Sequence, residues 1–360
     1  MRNRYSAGMV LVMAALAGAA RADMLGQLNR VMNGTVETEG DPGRPASWYY
    51  STFGTAWSTA SSISPTHSLE LNDNSATSAA DWRAVAFSVS PGESLNLSFY
   101  AETDQIVGNF GGFLRYFNSS GAFLGQKFIS LTGSTPWRHY EGRLAAPAGA
   151  ATADVVFSTN AASNTGLARV DNVAVDNNLI LNARMELGSG NNRDSWSHSP
   201  SYTSVVTTGD APSFNTVIEI NDTSTEGYGD WRCQAVNVAG SGKLLWAFEN
   251  RRLSMTGTAY AYLRWFADSG ASQFISEEVV PLSGVTVGWQ SYLRVVNVPA
   301  NAVTADIRFA TFADPTFTGQ MWFDDVVLAV PDPATCLFLM LGSVCLVRRS
   351  RRNRTKTNVL

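Results

Sequence analysis

The chain has 360 residues, 45% of them hydrophobic and 11% aromatic, and a formal net charge of −4. Residues 1–22 hold three of the 26 Lys+Arg and the segment after Asp332 holds six, so the body keeps 17 against all 30 Asp+Glu, a net −13. A body this acidic excludes recognition of a nucleic-acid phosphate backbone, and it suits neutral ligands or divalent cations held between carboxylates.

The chain opens with Arg2 and Arg4, an apolar run from Ala7 to Ala17, and Ala20-Arg21-Ala22. Positive charge, a short apolar core and a small-x-small site, in that order, predict a secretory signal peptide over 1–22. The run is too short to span a bilayer comfortably.

The body that follows contains one unit twice, and the expected domains are 23–176 and 177–329. Asn33 and Glu37 match Asn182 and Glu186 at an offset of 149. The same offset relates Glu70-Leu71-Asn72-Asp73 to Glu219-Ile220-Asn221-Asp222 and Asp81-Trp82-Arg83 to Asp230-Trp231-Arg232. Leu114-Arg115-Tyr116-Phe117 likewise matches Leu263-Arg264-Trp265-Phe266. Later the offset drifts to 152 (Trp137 with Trp289, Ala153-Asp154 with Ala305-Asp306) and then 153 (Asp171 with Asp324), as small loop insertions would cause. A repeat this long is a duplicated domain and not a solenoid unit.

Within each unit the periodicity is that of strands. Ser94 to Phe99 alternates polar and apolar, and Ala153 to Phe157 and Ala305 to Phe309 are bounded by turn residues. Many short strands without an amphipathic helix predict an all-β fold, two tandem antiparallel β-sandwiches. Cys233 is the one cysteine of the body and reads as a buried small hydrophobe.

After the second unit come Val330, Pro331, Asp332 and Pro333, an apolar segment over 334–347 and a basic tail over 348–360 with Arg348, Arg349, Arg351 and Arg352. The basic cluster should stay on the cytoplasmic side of a membrane that the apolar segment enters. This order resembles the PEP-CTERM sorting signal of Gram-negative bacteria, with Pro331, Asp332 and Pro333 as its motif, although Asp332 stands where that family usually has Glu. The resemblance implies an exosortase-like membrane protease as partner and delivery to the envelope, outer surface or extracellular matrix. A plain short membrane anchor is the alternative.

Each unit resembles the jelly-roll carbohydrate-binding modules of the family 4/9 type, within the galactose-binding-like group. The resemblance rests on Asn33 to Glu37 with Trp48, on Asn182 to Glu186 with Trp196, and on the closing segments around Asp171-Asn172 and Asp324-Asp325. It implies a polysaccharide ligand and one structural calcium per unit, held by Glu37 with Asp171 and by Glu186 with Asp324. Two carboxylates brought together repel unless a proton or a cation intervenes, and calcium prefers oxygen ligands of this kind. The alternative is that these acids accept backbone N–H bonds or pair with Arg.

Sugar rings stack their C–H faces on aromatic side chains. The candidate platforms are Trp48, Tyr50 and Trp57, which fall in a Ser/Thr/Gly-rich stretch, and Trp196 and Tyr202 in the second unit. The alternative is that these rings plug the ends of the sandwiches. Trp82, Trp231, Trp137 and Trp289 recur in strand-like contexts and read as core. No metalloprotease, serine-hydrolase or paired-cysteine spacing is present, and His67, His139 and His198 do not keep their places in the repeat. The sequence therefore points to an exported, non-catalytic protein that binds polysaccharide. A purely structural envelope protein and, further off, a polysaccharide hydrolase are the competing readings.

Overall fold

The computed structural model describes residues 28–331, apart from 76, 161–163, 200, 210, 213–215, 225–226 and 312–315. The signal peptide, Asp332, Pro333 and the apolar and basic tail lie outside these residues. Pro331 follows the last strand and is half-buried. Among the described residues no helix is long and apolar enough to cross a membrane.

Among the described residues every named element is a strand. The first unit holds β1 (Trp48–Tyr50), β2 (Thr55–Ser58), β3 (Ser68–Asp73), β4 (Asp81–Ala84), β5 (Phe87–Ser88), β6 (Ser94–Phe117), β7 (Phe123–Ala145), β8 (Thr152–Ser158) and β9 (Thr165–Asp176). The second opens with a small hairpin of β10 (Gly188–Ser189) and β11 (Asn192–Arg193), then β12 (Trp196–His198), β13 (Thr203–Thr207), β14 (Thr216–Asp222), β15 (Asp230–Cys233) and β16 (Val236–Asn237). It closes with β17 (Lys243–Thr256), β18 (Thr258–Phe266), β19 (Phe274–Ser283), β20 (Gln290–Asn297), β21 (Thr304–Ala310) and β22 (Thr318–Ala329).

In the second unit two antiparallel sheets face each other. One has the order β12-β15-β21-β18-β19, the other β13-β14-β22-β17-β20. The first unit has the same layout, but its long strands β6 and β7 run through the corner and join both layers into one path, β1-β4-β8-β6-β9-β3-β2. The N-terminal half of β6 pairs β9 and its C-terminal half pairs β8, with register shifts around Thr103 to Phe110 where the strand bends. In the second unit Gly257, at φ 74°, interrupts the equivalent strand and separates β17 from β18. The result is two tandem jelly-roll sandwiches, each closed over its own core. One core gathers Trp48, Trp82, Phe99, Phe157 and Val170, the other Trp231, Trp246, Phe248, Phe309 and Phe323.

The repeated motifs have clear structural tasks. Asn33 and Asn182 adopt left-handed backbone (φ 54° and 49°), which Asn tolerates. Asn33 Nδ2 donates to the carbonyls of Thr38 (2.9 Å) and Ala46 (3.0 Å), and Asn182 Nδ2 to those of Leu187 (2.8 Å) and Asp194 (3.0 Å). Trp82 and Trp231 donate Nε1–H to the carbonyls of Glu70 (3.0 Å) and Glu219 (2.8 Å). Fully buried Asp154 accepts from Arg83 and Arg115, and fully buried Asp306 accepts from Arg232 and Arg264, at 2.6–2.9 Å. Each buried charge is thus paired, as burial requires. Buried Cys233 accepts the Ile307 N–H at 3.1 Å, and burial pushes its thiol up to about 12.

The second unit begins on the outer face of the first. Arg143 Nη2 donates to the Asn178 carbonyl (2.5 Å), and the Asn182 N–H donates to Glu141 Oε2 (2.9 Å). Asn96, Ser98, His139, Glu141 and Asp176 of the first unit face Asn178, Ala183 and Arg184 across this seat. Burial, and then the charge of Arg184, carry buried His139 down to about 3, while burial raises half-buried Glu141 to about 7.

Candidate functional site

The carboxylate pair of the first unit meets at Ser64. Its Oγ lies 2.6 Å from Glu37 Oε1, 2.9 and 2.8 Å from the two Asp171 carboxylate oxygens, 3.0 Å from the Thr35 carbonyl and 3.4 Å from that of His67. A hydroxyl has one proton, so it cannot satisfy five acceptor oxygens at once. Glu37 also accepts the N–H groups of Thr66 (3.0 Å) and His67 (2.9 Å), and a hydrogen bond from Thr66 Oγ1. Burial raises Glu37, but these donors outweigh it and bring it down to about 2. At Asp171 burial prevails over the donors from Ser64, Asn172 and Ile63 and lifts it to about 6.

The two carboxylates and two carbonyls are oxygens of the kind calcium takes, but the point on which they converge is the Ser64 hydroxyl itself. The backbone N–H donors expected as the alternative are there as well. Among the described residues no three His, Cys, Asp or Glu side chains gather as a metal group, so a cation here would draw on backbone oxygens. In the second unit Glu186 accepts from Thr216 N (3.0 Å) and Oγ1 (3.1 Å), and fully buried Asp324 accepts the Asp325 N–H (2.8 Å). Residues 213–215, which follow the repeat from Ser64 to Thr66, lie outside the described residues.

The proposed sugar platforms do not form one surface. Trp48 is 1% exposed, stacks on Phe157 and donates Nε1–H to the Asn33 carbonyl, and Trp196 is 8% exposed and stacked on Phe309. Both are core residues, because each short edge strand turns its first side chain inward; this corrects the reading of them as loop platforms. Tyr50 is exposed, with its ring 5.2 Å from that of Trp82. Trp57 is half-buried on the other edge strand, stacked 4.0 Å from His67 and bonded to the Val36 carbonyl at 2.7 Å. Tyr202 is half-buried and packs against the Gly227 backbone.

A different row of side chains crosses the second unit. The register pairs Ser204 with Glu219, Glu219 with Trp322, and Trp322 with Arg251. Their neighbours Ile218, Ile220, Met321 and Phe323 point into the core, so the row lies on the outer face. Buried Trp289 packs beside it, its ring 6.3 Å from that of Trp322, and the Arg251 guanidinium lies 5.4 Å from the Trp322 ring centroid. Glu219 accepts from Trp322 Nε1 (3.0 Å), Gln320 Nε2 (2.6 Å) and Ser204 Oγ, and so fixes the rotation of the indole. Trp322 and Arg251 are half-buried.

Sequence reading missed this row. Trp322 and Arg251 have no matching residue type in the first unit, and Trp289, with its counterpart Trp137, read as core. Trp82 and Trp231 are indeed core, and Trp289 is buried as expected at 8% exposed, although it belongs to neither of the two main clusters; Trp137 is only half-buried. The signal available was the alternation of Met321, Trp322 and Phe323, which turns one ring outward.

A cleft of about 520 Å³ also opens between Arg143 and Gln234–Ala239. Its lining has one charged side chain and no aromatic ring, and so offers little to select a ligand.

Fold and surface define a tandem jelly-roll protein with one aromatic outer row. No protein-family model matches the chain, and no curated protein matches it. Among solved structures it is similar to a tandem of two family 22 carbohydrate-binding modules from Paenibacillus barcinonensis, at 13% identity and TM-score 0.29, over 81% of this chain and 95% of that one. It is similar to TmCBM61, solved with β-1,4-galactotriose, at 16% identity and TM-score 0.30, over 43% of this chain and 99% of that one. Tailspike protein 4 of bacteriophage CBA120 matches at 19% identity and TM-score 0.34 over 41% of this chain, which spans about a fifth (21%) of the tailspike.

Proposed function

We propose that this chain is an exported, non-catalytic surface or matrix protein that binds polysaccharide. The observation that carries the reading is the outer row Ser204–Glu219–Trp322–Arg251–Trp289. It combines the half-buried Trp322 indole, with buried Trp289 beside it, and oriented polar groups, the composition of a site that stacks on sugar C–H faces and bonds sugar hydroxyls. The acidic body favours a neutral glycan. The order of the two chain ends supports export and sorting by an exosortase-like protease that acts at Pro331-Asp332-Pro333. Calcium at Glu37 and Asp171, and at Glu186 and Asp324, is structural in this reading and ties the start of each unit to its last strand.

The test is a polysaccharide array probed with the purified protein, first in calcium and then in chelator, with the producing cell's own exopolymer included. Binding to one or more neutral glycans is expected. A folded, calcium-loaded protein that binds none would leave a structural envelope role.

A further inference from the structure

The two units carry the same outer row with different chemistry. In the first unit Ala56 pairs with Glu70, Glu70 with Arg169, and Arg169 with Glu102. This is the counterpart, strand for strand, of Ser204, Glu219, Trp322 and Arg251. Where the second unit sets an indole against a guanidinium, the first sets a guanidinium between two carboxylates. Arg169 Nε lies 2.8 Å from Glu70 and its Nη1 2.7 Å from Glu102. All three side chains are 15–23% exposed. Trp137, the counterpart of Trp289, is tied to Ser61 Oγ at 2.8 Å. An ion-paired Arg offers no apolar face to a sugar ring, and opening the pair would leave carboxylates without their partner.

A second observation points the same way. The next rows of the first unit's face pair Tyr100 with His139, Ser98 with Glu141 and Asn96 with Arg143. Those positions meet Asn178, Asn182 and Arg184 of the second unit. A long glycan laid across the face would run into that seat.

We infer that the tandem is functionally asymmetric: the second unit alone binds glycan, through Trp322 and its row, while the first unit's equivalent face anchors the second unit. This rests on the glycan-binding reading above. It makes the protein monovalent for polysaccharide, so it gains no avidity from its duplication.

The experiment is calorimetric titration of the full protein with xylohexaose, β-1,4-galactotriose and cellohexaose, alongside Trp322→Ala and Arg169→Ala. One oligosaccharide per chain is expected. Trp322→Ala should weaken binding more than about tenfold, as loss of a central aromatic contact does, and Arg169→Ala less than about twofold. Two oligosaccharides per chain, or equal losses in the two variants, would overturn the asymmetry while leaving glycan binding intact. Folded wild-type protein that binds none of the three, and no glycan on the array, refutes the glycan reading and this inference with it. If Trp322→Ala fails to fold, a stoichiometry of two still overturns the asymmetry, and a single site that Arg169→Ala weakens more than about tenfold would lie on the first unit and overturn it as well.

Discussion

Glu141→Gln should match wild type near pH 4.5, where Glu141 is itself neutral, and be the more stable protein near pH 7, where wild type begins to bury a carboxylate charge. Glu141 and His139 stand two residues apart on β7 and both face the seat of the second unit, with Arg143, Asp176 and Arg184 as the neighbouring charges. His139 sits at about 3 in the folded protein, below its usual value near 6.5. The unfolded chain therefore binds the extra proton between those values, and this contribution is complete above pH 6.5 and is lost as pH falls, by about 1.4 kcal/mol per pH unit. Glu141 sits at about 7, above its usual 4.5, so here the folded chain binds the extra proton. Its contribution is complete below pH 4.5 and is lost as pH rises towards 7. Solvent at its half-buried side chain narrows that window, which brings the total between pH 4.5 and 6.5 to about 2 kcal/mol.

Between pH 4.5 and 6.5 the two slopes oppose each other and nearly cancel. Gln at 141 removes one of them. Urea unfolding at pH 6.5, 5.5 and 4.5 should then show the variant losing about 2 kcal/mol more than wild type across that window. The difference between the two proteins removes the titration of all other groups. Parallel profiles would refute the account of the seat as two opposed buried titrations.

Three further outcomes are expected. Asp306→Asn leaves Arg232 and Arg264 facing a neutral amide at a fully buried position and should cost about 2–4 kcal/mol by urea or thermal unfolding, with Asp154→Asn close behind. Trp231→Phe removes the indole bond to the Glu219 carbonyl and part of a buried ring, and should cost about 1–3 kcal/mol. Calcium at a hundredfold excess over its dissociation constant should stabilise the wild type by about 2.7 kcal/mol, and Glu37→Gln should abolish most of that gain; an unchanged melting temperature in calcium and in chelator would remove the ion from the proposal.

The fold was legible because duplication exposes its own constraints. Asp81-Trp82-Arg83, Arg115 and Asp154 recur far apart in the chain and converge in space as a core indole and a bracketed carboxylate. Alternation over Ser94 to Phe99 placed a strand correctly, but it could not show that β6 runs on through the corner to Phe117. The convergence of Glu37 and Asp171 was readable from the closeness of first and last strands, whereas the serine that joins them was not. The aromatics were the weak point. Trp48 and Trp196 sit in polar surroundings along the chain, yet edge strands turn them inward. Trp322 sits in an apolar run and is turned outward. Local composition cannot say which way a ring points; strand parity against the core can, once the register is known.

The break at Gly257 bears on how the two sandwiches respond to load. In the first unit β6 and β7 cross the corner as continuous strands, so the two sheets are laced together and one cannot tilt without disturbing the other. In the second unit the same corner is crossed by a single left-handed glycine and by the 284–289 connection. The sheet that carries Trp322 is therefore hinged where its counterpart is laced. A polymer pulling on the second unit would meet a compliant plate, mounted through Arg143 and Glu141 on a stiff base.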